Sequence, residues 1–291
     1  THNGSSRSFD FGDLASEGVA GVQIYKTGRA DVPSGGIGST INISTPKPLM
    51  SDPAASFAIK SVSDTSTRTG QDNTPEFSGI YMDSFADGTI GIAITATNQK
   101  RNNGVNAASV GGWYTRPGDD ILPNGSTDAK LANDEYQINR PQSADETYSL
   151  PQSMAYNIAE YESRRTNGQL VLQVAPSDDI IATVDYIRSE YTLERSYSDL
   201  SAWFSNTAAV SQSSEWTSGP NASPVYYSEV VDNADFAMGN GEDGQINFNE
   251  SMGFNLDWQV NDDLSLQLDY HNSSAETGAN GPNGTEALIT I

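Results

Sequence analysis

The sequence predicts an all-β chain: an antiparallel β-barrel portion of about seven strands, preceded by a compact Gly-rich unit. Three observations carry this. Segments of about ten residues alternate apolar and polar side chains from residue 53 to the end of the chain. Short turns and long polar connections alternate between those segments. A pair of short β-type runs joined by clustered glycines fills residues 8–48. Alternation with period two over ten residues is the signature of a strand with one apolar face, and in sufficient number of a membrane-spanning barrel.

In chain order, Val22-Gln23-Ile24-Tyr25-Lys26 is the first β-type run, with Val22 and Ile24 opposed to Gln23 and Tyr25. Glycines at 28, 35, 36 and 38 follow, then Thr40-Ile41-Asn42-Ile43-Ser44-Thr45 and Pro46-Lys47-Pro48. Glycines this dense allow positive φ and close backbone approach, and the prolines end strand pairing. A phosphate-binding reading of the glycines is weak, since neither GK[ST] nor a helix follows Gly38.

Seven barrel-type strands are then predicted: 53–65, 76–86, 89–100, 160–175, 180–195, 252–260 and 264–271. Asp87-Gly88 between the second and third is a strong hairpin signal. In the sixth, Met252, Phe254, Leu256, Trp258 and Val260 oppose Gly253, Asn255, Asp257 and Gln259. In the seventh, Leu264, Leu266, Leu268 and Tyr270 oppose Ser265, Gln267, Asp269 and His271. Leu172–Tyr186 and Trp258–Tyr270 read as one repeated hairpin. The turns at Asp178-Asp179 and Asp262-Asp263 match, with Asp expected to satisfy its own backbone. Long polar connections at 101–159 and 196–248 are expected on one side and the short turns on the other. A soluble antiparallel sandwich also alternates by two, but two such long loops fit it poorly.

The chain has 291 residues and is 36% hydrophobic, with a net charge of -23. That balance excludes a nucleic-acid partner, which needs a basic face. No apolar run is long enough for a membrane helix, so any span is made of strands. The absence of cysteine removes disulfides, thiolate metal sites and a cysteine nucleophile. His2 and His271 are too few for a zinc or triad site, no catalytic carboxylate pair stands out, and no enzyme activity, metal or cofactor is predicted. Residues 239–250, GNGEDGQINFNE, have glycine at the sixth position and glutamate at the last of a twelve-residue calcium loop. Gly239 and Gly241 stand where carboxylates are needed, so an acidic loop entering the sixth strand is the simpler reading.

The order of Val22, Ile24, Tyr25, Lys26, Ala30, Gly35, Gly36, Ile37, Gly38, Thr40, Ile41, Asn42, Ile43, Thr45 and Pro48 resembles the C-terminal half of the plug domain of TonB-dependent outer-membrane receptors. Phe9-Asp10-Phe11 and Ala15-Ser16-Glu17-Gly18-Val19 are similar to the subgroup found in Caulobacter and Xanthomonas relatives. Ser39 departs from the pattern, which often has glycine there. The plug motif residues carried over are Tyr25, Lys26, Gly35, Gly36, Gly38, Thr40, Asn42 and Thr45. The resemblance implies a partial α+β plug over 1–48, followed over 49–291 by the first part of a transmembrane β-barrel in the cell outer membrane. The match begins inside its own domain, so a fragment is expected, without signal peptide or TonB box. Function would be TonB-dependent active transport, with the inner-membrane TonB complex, outer-membrane lipid and a small nutrient ligand as partners. Ferric siderophores and other nutrients are alternatives within the family, and a non-transporting surface adhesin or carbohydrate-binding sandwich is the alternative outside it.

Trp113, Tyr114, Trp203, Phe204, Trp216, Tyr226 and Tyr227 of the long connections are either packing for the loops or a ligand platform. No Lys or Arg follows Arg195, so residues 196–248 present only acidic charge. Such a field repels anions. It suits a neutral or weakly charged oligosaccharide stacked on Trp and Tyr, and the Caulobacter- and Xanthomonas-like plug start leans the same way.

Overall fold

The structure, a computed structural model, describes residues 18–28, 39–119, 141, 143–206, 211–280 and 286–290. Two units are distinguished, one of residues 1–103, 160–195 and 243–286, the other of 104–159, 196–242 and 287–291. The elements are β1 (Gly21–Tyr25), β2 (Thr40–Ser44), β3 (Ala54–Asp64), β4 (Asp72–Phe85), β5 (Ile90–Gly111), β6 (Tyr114–Pro117), β7 (Thr147–Leu150) and β8 (Ser153–Ser177). They continue with β9 (Ile180–Trp203), β10 (Ser211–Trp216), β11 (Asn221–Ala222), β12 (Pro224–Glu229), β13 (Ala237–Asn261), β14 (Leu264–Ala279) and β15 (Glu286–Thr290). Among the described residues there is no α-helix. The α+β expectation for residues 1–48 therefore meets only its strand part, and Gly35, Gly36 and Gly38 lie outside the described residues.

All seven predicted barrel-type strands form one antiparallel sheet in chain order, β3-β4-β5-β8-β9-β13-β14, with β15 also paired to β13. Among the described residues β3 and β14 do not pair with each other, so the path is that of an open sheet. The Asp87-Gly88 turn spans residues 86–89, with Ala86, Asp87 and Gly88 all at positive φ (54°, 58° and 82°). Its backbone closes through Thr89 N–H donating to the Ala86 carbonyl at 3.2 Å. At the Asp262-Asp263 turn, Asn261 rather than an aspartate satisfies the backbone: its Oδ1 accepts the Asp263 N–H at 3.0 Å.

Strand ends correct the sequence reading. The polar stretches at 101–159 and 196–248 do not break the strands where alternation stops. β5 runs on to Gly111, β9 to Trp203, and β8 and β13 begin at Ser153 and Ala237. Residues 105–110 are exposed on both faces. Backbone pairing alone extends a strand there, and it leaves no facial pattern in the side chains. Residues 239–250 fall within β13 for the same reason, so the acidic-loop reading is replaced by extended strand.

Across β4, β5 and β8, burial is inverted relative to a water-soluble fold, while the edge strand β14 is exposed on both faces. In β5, Ile94 is 46% exposed and Thr95 4%. In β8, Leu172 is 36% exposed and Gln173 1%. Thr97, Asn167, Gln169 and Thr183 are buried with them, while Phe57, Ile59, Phe77, Tyr81, Ile90, Leu170 and Val174 are exposed. The register of β13 and β14 keeps the two sets apart, placing Leu256 against Leu268 and Asn255 against Asp269.

What covers the polar face is the N-terminal segment of the same unit. The Leu49 N–H donates to Gln173 Oε1 at 2.9 Å. Gly91 is bare because a Cβ there would lie 2.9 Å from Leu49 Cδ2 and 3.0 Å from Pro48 Cβ. Gly18 likewise sits against Gln169 and Thr95. Short, small residues at these points let the chain approach the sheet closely.

Candidate functional site: an inverted sheet, a basic pocket and an aromatic core

The exposed apolar side chains of the first unit form a band. On β13 the apolar run spans Met252 to Val260, with Met252 and Trp258 exposed and Phe254, Leu256 and Val260 half-buried, about nine residues or roughly 30 Å along a strand. On the band's side of the sheet, uncharged and then charged residues follow away from the turns, with Asn98 Nδ2 donating to Thr166 Oγ1 at 2.8 Å before the charges begin. Lys100 and Glu162 pair at 2.7 Å across β5 and β8. The Arg188 guanidinium stacks 5.0 Å above the Phe248 ring. Long charged side chains close an apolar band in this way where it meets water.

β1 and β2 form an antiparallel hairpin, with Tyr25 opposite Thr40 and Gln23 opposite Asn42. Gln23 Oε1 accepts from the Tyr25 hydroxyl at 2.8 Å and from Asn42 Nδ2 at 3.4 Å, so three polar side chains share one face as their parity requires. Val22, Ile24 and Ile41 are exposed. Lys26 and Thr45 flank the hairpin.

The buried face carries a ladder of polar pairs between β5 and β8. Thr95 Oγ1 donates to Gln169 Oε1 at 3.4 Å, and Asn167 Nδ2 to Thr97 Oγ1 at 3.3 Å. Next along both strands the ladder opens into a pocket of about 250 Å3 lined by Gln99, Arg101, Ser163, Arg165 and Tyr191. Arg165 lies over the Tyr191 ring, its guanidinium carbon 4.9 Å from the centroid. Arg101 Nε donates to Glu76 Oε1 at 2.6 Å, and Lys60 Nζ lies 2.6 Å from Glu76 Oε2. The Glu76 side chain is 1% exposed. A buried carboxylate persists only when paired, and this one has two cations. Sequence reading missed this pocket because Arg101 was assigned to a loop and Arg165 has no apolar alternation around it. The odd-numbered parity shared by 163, 165, 167 and 169 was the available signal.

In the second unit, β6, β7 and β11 form one small sheet and β10 and β12 another. Its core is Tyr148 and Leu150, both essentially fully buried, with Trp216 and Tyr227 packed on them. Tyr148 meets Trp216 edge-on at 5.7 Å, and Phe204 meets Tyr227 edge-on at 5.0 Å. A polar clasp adjoins them. Asn206 holds a left-handed φ of 51°, and its N–H donates to Glu229 Oε1 at 2.6 Å while Nδ2 donates to the Pro151 carbonyl at 3.1 Å. The Tyr227 hydroxyl is 2.7 Å from both Glu229 Oε1 and Asn206 Oδ1.

Of the seven aromatics singled out by sequence, Phe204, Trp216 and Tyr227 are thus packing residues of this core. Trp113, Tyr114, Trp203 and Tyr226 enter neither ring pair and are exposed. An apolar groove of about 360 Å3 in this unit is lined by other residues, among them Val110, Met154, Tyr156, Leu200 and Phe236.

The calcium-loop positions hold no loop. A side chain at Gly239 would meet the Asp199 carboxylate, and one at Gly241 the Tyr197 ring. Among the described residues no group of three or more His, Cys, Asp or Glu could hold a metal ion. His271 is exposed on β14 opposite Gly253. Compared with models of protein families, with curated proteins and with solved structures, the chain matches none.

Proposed function

We propose that this chain is part of a TonB-dependent transporter of the outer membrane, taking up a neutral or weakly charged oligosaccharide. The observation that carries the reading is the inversion across β4, β5 and β8: apolar side chains outward, amides and hydroxyls inward, with an N-terminal segment hydrogen-bonded to the polar side at Gln173. In water an exposed apolar band of this extent is unfavourable, whereas in a bilayer it is the solvated surface. A sandwich adhesin would bury that face instead. The band height also fits, since about nine residues at a barrel tilt cross an apolar layer of roughly 25 Å.

In this reading the N-terminal hairpin is part of the plug, ligand binds from the outer side, and a periplasmic pull on the plug opens the path. The sugar assignment rests on residues 196–248, which carry Asp199, Glu215, Glu229, Asp232, Asp235, Glu242 and Asp243 and no Lys or Arg. A deletion strain grown on a panel of glycans and under iron limitation tests it. Loss of growth on one or more glycans, with normal growth at low iron, is the expected result. An iron defect alone would replace the sugar with a ferric chelate, and no uptake defect of any kind would remove the transport reading.

A further inference from the structure

We propose that Arg101, Arg165 and Tyr191 form a binding subsite for a carboxylate-bearing sugar unit on the polar face of the sheet. The proposal rests on the transport reading for the ligand class, and it specifies the weak charge which that reading admits as a single carboxylate. Two guanidinium-bearing side chains line one pocket whose lining contains no carboxylate, in a chain of net charge -23. Its volume of about 250 Å3 lies below that of whole-ligand pockets and suits a single sugar unit.

Each part of the lining has a role a hexuronate would use. Guanidinium groups bind carboxylates through paired N–H donors, and the geometry selects a planar anion over a hydroxyl. Tyr191 fixes the plane of Arg165 from below at 4.9 Å. Glu76 holds Arg101 by Nε at 2.6 Å, and Lys60 on the other carboxylate oxygen helps keep Glu76 ionised and in place. Glu76 is therefore a positioning residue. Gln99 and Ser163 supply neutral hydrogen-bonding groups for sugar hydroxyls. The pocket begins one step along the ladder beyond Thr97 and Asn167, and Gly18 of the N-terminal segment lies against Thr95 and Gln169. It is thus adjacent to the place where Gly18, the first described residue, meets the sheet.

The test is calorimetric titration of the detergent-purified protein with xylotriose bearing a single glucuronate, with its methyl ester, and with sodium sulfate. Wild type should bind the acid at least about tenfold more tightly than the ester, the worth of one charge-assisted hydrogen bond. Arg165→Gln and Arg101→Gln should each remove about tenfold of the acid's affinity and leave the ester's unchanged, while Arg165→Lys should retain part of it. A heat-modifiable gel shift checks that each variant is folded; if either Gln variant is not, Tyr191→Leu, which removes the stacking ring with its hydroxyl and leaves both guanidinium groups, should weaken the acid severalfold. Equal affinity for acid and ester, or folded Gln variants that bind the acid as wild type does, would overturn the subsite. Sulfate binding without binding of the glucuronate-bearing sugar would also overturn it, by showing a site for free oxyanions. These outcomes are independent of the growth phenotype, which judges the transport reading separately.

Discussion

Leu49 and Gln173, 124 residues apart in the chain, are joined by one hydrogen bond between the backbone N–H of the first and Oε1 of the second. Gln173 spends its other end on Thr183 Oγ1, to which Nε2 donates at 3.1 Å. A single buried amide therefore ties the segment leading out of the N-terminal hairpin to β8 and β9. Gln173→Leu leaves both partners without theirs in a buried setting, and should cost about 1–3 kcal/mol. The midpoint of denaturant unfolding measures it; an unchanged midpoint would mean the Leu49 contact is dispensable.

Facing can be tested on one pair of neighbours. Leu266 is 49% exposed on the apolar side of β14, and Gln267, also exposed, is on the polar side opposite Asp257. In lipid vesicles Leu266→Arg should cost roughly 2–4 kcal/mol if it lies near the bilayer midplane, and Gln267→Arg much less. Two small, equal penalties would indicate water on both faces.

The clasp of the second unit predicts a local effect. Glu229 accepts the N–H groups of Ser205 at 2.8 Å and Asn206 at 2.6 Å, and lies within bonding distance of the Tyr227 hydroxyl. Glu229→Ala should loosen the left-handed turn at Asn206 by about 2 kcal/mol. Faster amide exchange at residues 204–206, with β4 and β5 unchanged, is the expected readout. Global unfolding instead would mean the clasp supports more than its own unit.

Topology follows from strand parity under the membrane reading. Asn233, in the turn between β12 and β13, should be outside, and Asp262, in the turn between β13 and β14, periplasmic. On intact cells producing the protein, a cysteine at position 233 should take an impermeant maleimide and one at 262 should not. Reversed labelling would invert the assignment.

The seven strands of the large sheet were legible in the sequence because each carries its own record. Ile90, Ile92 and Ile94, or Leu264, Leu266 and Leu268, repeat every second residue, and a strand's two faces see different solvents. The turns were legible too, since Asp87-Gly88 is chemistry a tight turn demands. Sequence alone could also group the polar set Thr95, Thr97, Gln169 and Gln173 by parity.

It could not say which of the two faces is covered. Alternation is symmetric: the same pattern serves a sandwich with its apolar side inward and a sheet with its polar side inward. Only the tertiary structure decided that, by placing Leu49 and Gly18 on the polar side and leaving Ile94 and Leu172 exposed. The extension of β5, β8, β9 and β13 through polar sequence was likewise invisible, because their outer halves are held by backbone pairing, which any side chain permits. The basic pocket belongs to this second class. Arg101, Arg165 and Tyr191 are distant in sequence and meet because pairing of β5 with β8 and of β8 with β9 brings their odd-numbered faces side by side.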